Sequence, residues 1–216
     1  MLATIAEVKA RLGIPAYETA DDALLECFIR LVSARFENEC QRRFARAENA
    51  AWDFRADTLD LRIERYPLES VACFYLKRAE ASGWEEQAAV DYLVSPARSV
   101  IELAAPLGGP RELGRVVYTG GYVLPGGDAG PGQTPLPDDL ARAAVEQVAY
   151  LHENRNRLGL VSVGGGSGAI ELLRELRYLP PGSAAVTGGS AWFKFNQADL
   201  LPGVQATLRH YRRLVW

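Results

Sequence analysis

The segment that most constrains the fold is residues 116–158, where an apolar strand, a glycine-rich turn and a helix start succeed one another. The strand runs into a Gly-Gly pair at 120–121, which predicts a tight turn, and a loop rich in glycine and proline comes next. Pro137 then favours a helix start, because the N–H that proline lacks has no partner in a first helical turn. The pattern predicts a helix over 137–158, capped by Gly159, with an apolar stripe of Leu140, Ala144, Val148 and Leu151.

Two further helices are predicted before residue 50. Thr4 followed by Glu7 is a capping-box pattern, so a short helix is expected over about 4–12, ending at Gly13. A longer helix is expected over about 21–44, with a stripe of Leu25, Ile29, Val32, Phe36 and Cys40. Three arginines at its end suit the negative end of the helix dipole, and a basic nucleic-acid patch is the alternative interpretation of Arg42, Arg43 and Arg46.

Between these helices the period of the pattern changes from helical to alternating. Five short apolar or alternating runs predict strands near 59–64, 71–77, 90–94, 99–103 and 115–118, in an antiparallel sheet or small barrel. The fold class expected is α+β, a helical core of two long helices plus short helices with an inserted antiparallel β subdomain. The domain division expected is 1–50 for the N-terminal helices, 51–124 for the β subdomain, and 125–216 for the long helix, the glycine-rich loops and a C-terminal helix.

After residue 159 the sequence is rich in glycine and harder to assign. Glycine-rich stretches at 160–168 and 182–190 are expected to be loops, with a short helix between them near 170–176 and an aromatic cluster near 192–195. A final helix is predicted over 204–216, where the apolar positions are Val204, Leu208, Tyr211 and Val215. That segment carries three arginines and no acidic residue.

Composition limits the classes of function. The 216 residues are 48% hydrophobic and 24% charged, with a net charge of −3, which is typical of a globular protein and argues against a dedicated nucleic-acid binder. No run approaches the roughly 20 apolar residues that span a bilayer, and the N-terminal pattern favours an amphipathic helix over a signal peptide. The chain is therefore expected inside the cell when it is made.

The sequence offers no clear catalytic or metal-binding pattern. The three cysteines have neither disulfide-framework nor zinc spacing and are expected to be free, buried thiols. The run at 164–168 lacks the lysine of a phosphate-binding loop, and His152 and His210 lack a metal-ligand partner at the usual spacing. The expectation is a protein that is not an enzyme and binds no metal or cofactor, although a hydrolase with an unrecognised site remains an alternative.

The order of elements resembles a known family. The resemblance is carried by VKARLGI, DDALLECFIRLVSARFENECQRRF, RIERYPLESV, VVYTGGYVLPG, LPDDLARAAVEQVAYLHENR and LLPGVQATLRHYRR. In this order they resemble the head–tail connector (adaptor) proteins of long-tailed bacteriophages and phage-like gene transfer agents. The chain departs from that pattern in a longer β region at 76–115 and in the extra segment 160–199.

The resemblance implies a structural virion protein located in the neck between head and tail, after assembly in the host cytoplasm. Such a protein forms a ring, commonly a dodecamer, joins the portal protein to a tail or stopper/tail-terminator protein, and helps retain packaged DNA. Double-stranded DNA passes through its lumen without sequence specificity, and no membrane is involved. The alternative from another class is a cytoplasmic module that binds a small ligand or a peptide.

The resemblance and the composition together suggest two sets of candidate site residues. A C-terminal helix that docks on the portal would use Arg209, Tyr211, Arg212, Arg213 and Trp216, since tryptophan and arginine are favoured as interface anchors. The alternatives are a core helix whose arginines lie in water and a weak DNA contact. Loops that become ordered against a neighbouring subunit would use Gly164, Gly165, Gly166, Trp192 and Phe193.

Overall fold

The computed structural model describes residues 1–95, 100–155, 160–164, 192–195 and 200–213. Its helices are α1 (Ile5–Leu12), α2 (Asp22–Cys40), α3 (Asp138–Glu153) and α4 (Pro202–Tyr211). Its strands are β1 (Ala47–Arg55), β2 (Asp60–Arg62), β3 (Leu68–Lys77), β4 (Glu85–Gln87), β5 (Tyr92–Ser95), β6 (Val100–Leu103), β7 (Leu113–Gly120), β8 (Tyr122–Val123), β9 (Thr134–Pro135), β10 (Leu160–Gly164) and β11 (Trp192–Phe195). The chain is therefore α+β with antiparallel sheets, as predicted.

The four helices share one core. The stripes predicted for α2 and α3 are buried, and they meet Val8 of α1 and both Val204 and Leu208 of α4 in a single apolar cluster. The capping box of α1 is present, because the Glu7 N–H donates to Thr4 Oγ1 and the Thr4 N–H donates to Glu7 Oε2. Apolar periodicity thus located the buried faces correctly.

The two central helices are shorter than predicted. α2 has 19 residues and ends at Cys40 instead of 44, because Gln41 takes a left-handed backbone with φ 50°. The Arg42 N–H then returns to the Glu37 carbonyl oxygen at 3.1 Å, which closes the helix end. α3 has 16 residues and ends at Glu153 instead of 158, and the expected cap Gly159 lies outside the described residues.

Two antiparallel sheets enclose a second core. One has the strand order β1-β7-β3-β4 and the other has the order β2-β6-β5. Their inward side chains form one cluster of Phe54, Leu61, Ile63, Phe74, Ile101, Leu103, Val116 and Tyr118. In these two sheets all five predicted strands are present, and the prediction missed β1 and β4. The proposed domain division at residues 50 and 124 stays a prediction, while β1 itself begins at Ala47.

The Gly-Gly pair at 120–121 connects the two cores. Gly121 has φ 105°, and a Cβ there would lie 2.7 Å from the Ala45 carbonyl oxygen, so this position requires glycine. The chain then runs beside residues 44–46, since the Tyr122 N–H donates to the Phe44 carbonyl and the Arg46 N–H donates to the Tyr122 carbonyl, both at 2.8 Å. This close approach places the end of α2 and the start of β8 at one junction. The end of α4 joins them, because the backbone N–H of Arg213 donates to the Cys40 carbonyl oxygen at 2.8 Å.

Residues after α3 depart from the expectation of loops. β10 pairs antiparallel with β11, and the register places Val163 opposite Phe193 and Gly164 opposite Trp192. The first part of the predicted 160–168 loop is therefore a strand with a partner in the same chain. The helix expected near 170–176 and the loop at 182–190 lie outside the described residues.

Candidate assembly surface at the C-terminal junction

The last described helix is part of the helical core. Val204 and Leu208 are each 4% exposed, and both belong to the apolar cluster formed with α2 and α3. The start of α4 is fixed by Gln147, a buried side chain whose Oε1 accepts the Leu201 N–H at 2.9 Å. The described part of the C-terminal segment therefore packs as a core helix, which is one of the alternatives to a docking helix. The predicted helix ends at Tyr211, since Arg212 is extended with φ −67° and ψ 128°.

Tyr211 closes the junction between the helices and the sheets. Its hydroxyl donates to Asp139 Oδ1 at 2.6 Å, and its carbonyl oxygen accepts from the Tyr66 hydroxyl at 3.2 Å. Its ring meets Phe44 edge-on, with 6.5 Å between the ring centroids. Burial, together with the hydrogen bond to the Asp139 carboxylate, raises the pKa of the Tyr211 hydroxyl, so it stays a neutral donor. Tyr211 is thus committed to contacts inside its own chain.

Arg42 lies at the same junction, among three aromatic rings that form a box around it. It is 3% exposed, and its guanidinium Cζ lies 3.2 Å from the ring centroid of Tyr66, with Phe44 at 4.9 Å and Tyr122 at 5.3 Å. It also donates to the Tyr66 carbonyl oxygen, while its Nε has no hydrogen-bond partner within the described residues. Aromatic faces stabilise a desolvated guanidinium, which makes Arg42 a structural centre of the junction.

The other two arginines of the predicted basic patch are neutralised. Arg43 pairs with Glu37 at 2.8 Å, and Arg46 pairs with both Glu69 and Glu48 at 2.9 Å. The hydrogen bond from each guanidinium to its carboxylate raises the pKa of Arg43 and of Arg46. One arginine is buried and two are paired with carboxylates, so these residues offer little free positive charge, and the nucleic-acid interpretation stays an untested alternative.

The candidate portal-binding residues separate into three groups. Arg213 is held at the junction. Its backbone N–H donates to the Cys40 carbonyl oxygen at 2.8 Å, and its guanidinium Nη1 donates to the Arg62 carbonyl oxygen at 3.3 Å. Arg209 and Arg212 are exposed. Trp216 lies outside the described residues. Among the described candidates, Arg209 and Arg212 are therefore available to a partner. No pattern in the sequence indicates that these two are exposed while Arg213 and Tyr211 make contacts inside the chain.

The candidate subunit-contact residues are split in a similar way. Gly164 belongs to β10, and both Trp192 and Phe193 belong to β11, whereas Gly165 and Gly166 lie outside the described residues. The runs LVSV and WFKF are rich in β-branched and aromatic residues, which favour strands, and they could have indicated this strand pair from the sequence.

His152, the histidine of α3, is paired with a carboxylate. His152 Nε2 lies 2.9 Å from Asp21 Oδ2, and this hydrogen bond lowers the pKa of Asp21. Within the described residues no cluster of three or more histidine, cysteine, aspartate or glutamate residues could hold a metal ion. The same part of the chain has no helix long and apolar enough to cross a membrane.

One open cavity of about 380 Å³ lies beside the junction. Its lining includes Arg46, Tyr122 and Gln133. Since Arg46 is already bound to two carboxylates, the cavity presents little free charge to a ligand.

Comparison with known proteins identifies related folds. No protein-family model matches the chain, and no curated protein matches it. Solved structures do match, and two of the matching chains come from particle necks. One, in the neck of an empty GTA (gene transfer agent) particle computed with C6 symmetry, is 20% identical with a TM-score of 0.51, over 86% of this chain and 91% of that chain. The other, in the neck of a native GTA particle computed with C12 symmetry, is 17% identical with a TM-score of 0.50, over 98% of this chain and 89% of that chain. The likeness establishes a shared fold along nearly the whole length.

Proposed function

We propose that this chain is a structural neck protein, a ring-forming head–tail connector that joins the portal to the tail and helps retain packaged DNA. The observation that carries the proposal is the shared fold with chains from two GTA necks, over 86% and 98% of this chain. It agrees with the order of sequence segments that resembles connector proteins. The proposed location is the neck of a virion or virion-like particle, after assembly in the host cytoplasm.

The proposed role requires binding and no covalent chemistry. A ring arises when each subunit presents two different surfaces whose contacts close by rotation. The proposed partners are further copies of the chain, commonly twelve in all, the portal protein, and a tail or stopper/tail-terminator protein. Double-stranded DNA would pass through the lumen without sequence-specific contacts, and a net charge of −3 suits a conduit that does not hold phosphates tightly.

The junction refines the docking hypothesis. Because α4 buries Val204 and Leu208, docking on the portal would not require this helix to leave the body. It would instead use Arg209 and Arg212 on the exposed side, together with the residues after Arg213. An exposed arginine presents a planar fork of donors that suits carboxylates or carbonyl oxygens on a partner.

The test is genetic and uses particles. Deleting the gene for this chain in the particle-producing host should give heads that lack tails, and expression of the wild-type chain should restore joined particles. A chain with both Arg209→Glu and Arg212→Glu should remain folded and fail to restore them. Arg30→Glu is the matched control, since the Arg30 side chain is 65% exposed on α2, and it should restore joining fully.

Two results would count against the proposal. If particles purified without the chain still joined heads to tails, it would not be a connector. If the double arginine variant restored joining as well as the Arg30 control, the neck role would stand and docking through these arginines would be wrong.

A further inference from the structure

Tyr17 is an exposed aromatic side chain on a short loop that is held in place. It lies between α1 and α2 and is 85% exposed, more than any other large apolar side chain of the described residues. The loop turns here, because the Glu18 N–H donates to the Pro15 carbonyl oxygen at 3.1 Å. Lys9 of α1, only 5% exposed, fixes the turn, since its Nζ donates to the Glu18 carbonyl oxygen at 2.6 Å and pairs with Asp22 Oδ1 at 2.5 Å. A loop fixed in this way can present its ring to a partner with little further ordering.

The open cavity beside the junction suits a neutral aromatic ring. It has a volume of about 380 Å³, its lining is mostly apolar, and Tyr122 supplies an aromatic ring to its wall. Arg46 lines it too but is already bound to two carboxylates, so an ionic ligand would find little free charge. The Gln133 Oε1 accepts the Gly130 N–H at 3.0 Å, whereas its amide nitrogen has no partner among the described residues. That nitrogen is a donor suited to a phenol oxygen.

The exposed ring and the cavity lie at opposite ends of α2. Lys9 ties the Tyr17 loop to Asp22, the first residue of α2. Ala45, which lines the cavity, follows the end of α2 at Cys40. A helix of 19 residues is about 28 Å long at 1.5 Å per residue, so Tyr17 cannot reach the cavity of its own chain.

We infer that Tyr17 of one copy of this chain inserts into the cavity of the next copy, an inference that rests on the proposed ring-forming function. A ring of identical subunits requires two different, complementary surfaces on each chain. The fixed, exposed ring and the neutral cavity are such a pair, and a second copy is the one occupant whose matching half lies on this chain itself. Tyrosine is also among the residues that most often anchor protein interfaces.

The first test locates the occupant of the cavity directly. Full-length chain with the photoreactive p-benzoylphenylalanine in place of Tyr17 is mixed with isotope-labelled wild-type chain, irradiated and mapped by peptide mass spectrometry. We expect crosslinks from position 17 to labelled peptides that contain residues 122–127. The matched control has the same photoreactive residue in place of Tyr150, which is 38% exposed on α3, and should give no crosslink to that segment. Crosslinks to the cavity only within one chain, or only outside the cavity, would overturn the inference.

The second test removes the ring and measures assembly. Sedimentation and native mass spectrometry over a concentration series compare wild type with Tyr17→Ala, Tyr17→Phe and Tyr150→Ala, and circular dichroism establishes that each variant is folded. We expect the wild-type chain to form oligomers larger than dimers. Tyr17→Ala should raise the midpoint concentration of assembly about tenfold or more, because it removes the anchor. Tyr17→Phe keeps the ring, so it and Tyr150→Ala should stay within about threefold of wild type.

The remaining outcomes separate this contact from the neck function. A wild-type chain that stays monomeric at every concentration, or that assembles equally well as Tyr17→Ala, would overturn the contact. Both tests use purified chain and are independent of particles. If assembly depends on Tyr17 while gene deletion leaves head–tail joining intact, the neck function fails and the contact stands. If deletion abolishes joining while position 17 gives no crosslink to the cavity, the contact fails and the neck function stands.

Discussion

Two truncations distinguish a core helix from a docking segment at the C-terminus. Removing residues 204–216 deletes most of α4, whereas removing residues 212–216 keeps α4 and deletes only the tail beyond Tyr211. If α4 were a detachable docking element, both truncated chains would be about equally stable. If α4 is part of the core, the longer truncation should lower the free energy of unfolding much more than the shorter one does.

The structure sets the size of the difference. Val204 and Leu208 are each 4% exposed, and burial of such side chains contributes about 1.5–3 kcal/mol each. The longer truncation also removes the partners of Tyr66 and Asp139, at about 1 kcal/mol for each hydrogen bond. With the two Arg213 hydrogen bonds that are also lost, it should lower the free energy of unfolding by roughly 6–11 kcal/mol, a large part of the ~5–15 kcal/mol of a typical domain.

The shorter truncation should lower the free energy of unfolding only slightly. It removes the two hydrogen bonds that Arg213 makes to carbonyl oxygens, worth about 0.5–1.5 kcal/mol each. Urea unfolding followed by far-ultraviolet circular dichroism measures both truncations against the wild-type chain. A loss under about 2 kcal/mol for the longer truncation would refute the reasoning, and so would equal losses for the two chains. With portal docking, the shorter chain should be folded yet fail to join heads to tails.

Buried groups give three further predictions. Phe36→Asp should lower the free energy of unfolding by about 4 kcal/mol or more, because it places a carboxylate at a fully buried position of α2, and a near-wild-type melting temperature would contradict the packing. Peptide-level thiol labelling should modify exposed Cys27 rapidly and Cys40 only on unfolding, since burial raises the pKa of the Cys40 thiol to about 11. Burial also raises the pKa of Tyr118 to about 12, so the stability it contributes is complete below its unfolded pKa of about 10 and is lost between there and pH 12. Tyr118→Phe should weaken this alkaline loss in unfolding measured from pH 9 to 12, and an unchanged pH profile would disprove the assignment.

Local patterns in the sequence determined the helices and their buried faces. The stripes of α2 and α3 repeat every three to four residues, and such a period is set by the helix itself, without help from distant residues. The capping box at Thr4 and Glu7 is likewise an interaction within a few positions of the chain. The Gly-Gly pair indicated the turn at Gly121, although the group that excludes a side chain there is the distant Ala45 carbonyl oxygen. The free cysteines were expected to be buried, but only Cys40 is; Cys27 is exposed and Cys73 is half-buried.

Contacts between distant segments decided the rest. β1 has no clean alternation and is a strand because β7 pairs with it across more than 50 positions of the sequence. α2 ends at Cys40, where Arg42 turns into the aromatic box formed with Tyr66 and Tyr122. The arginines of the last segment look alike in the sequence, yet Arg213 binds carbonyl oxygens of two distant segments while Arg209 and Arg212 face solvent. A pattern of residue types records which side chains prefer burial, but which partners they meet depends on chain segments brought together only by the tertiary fold.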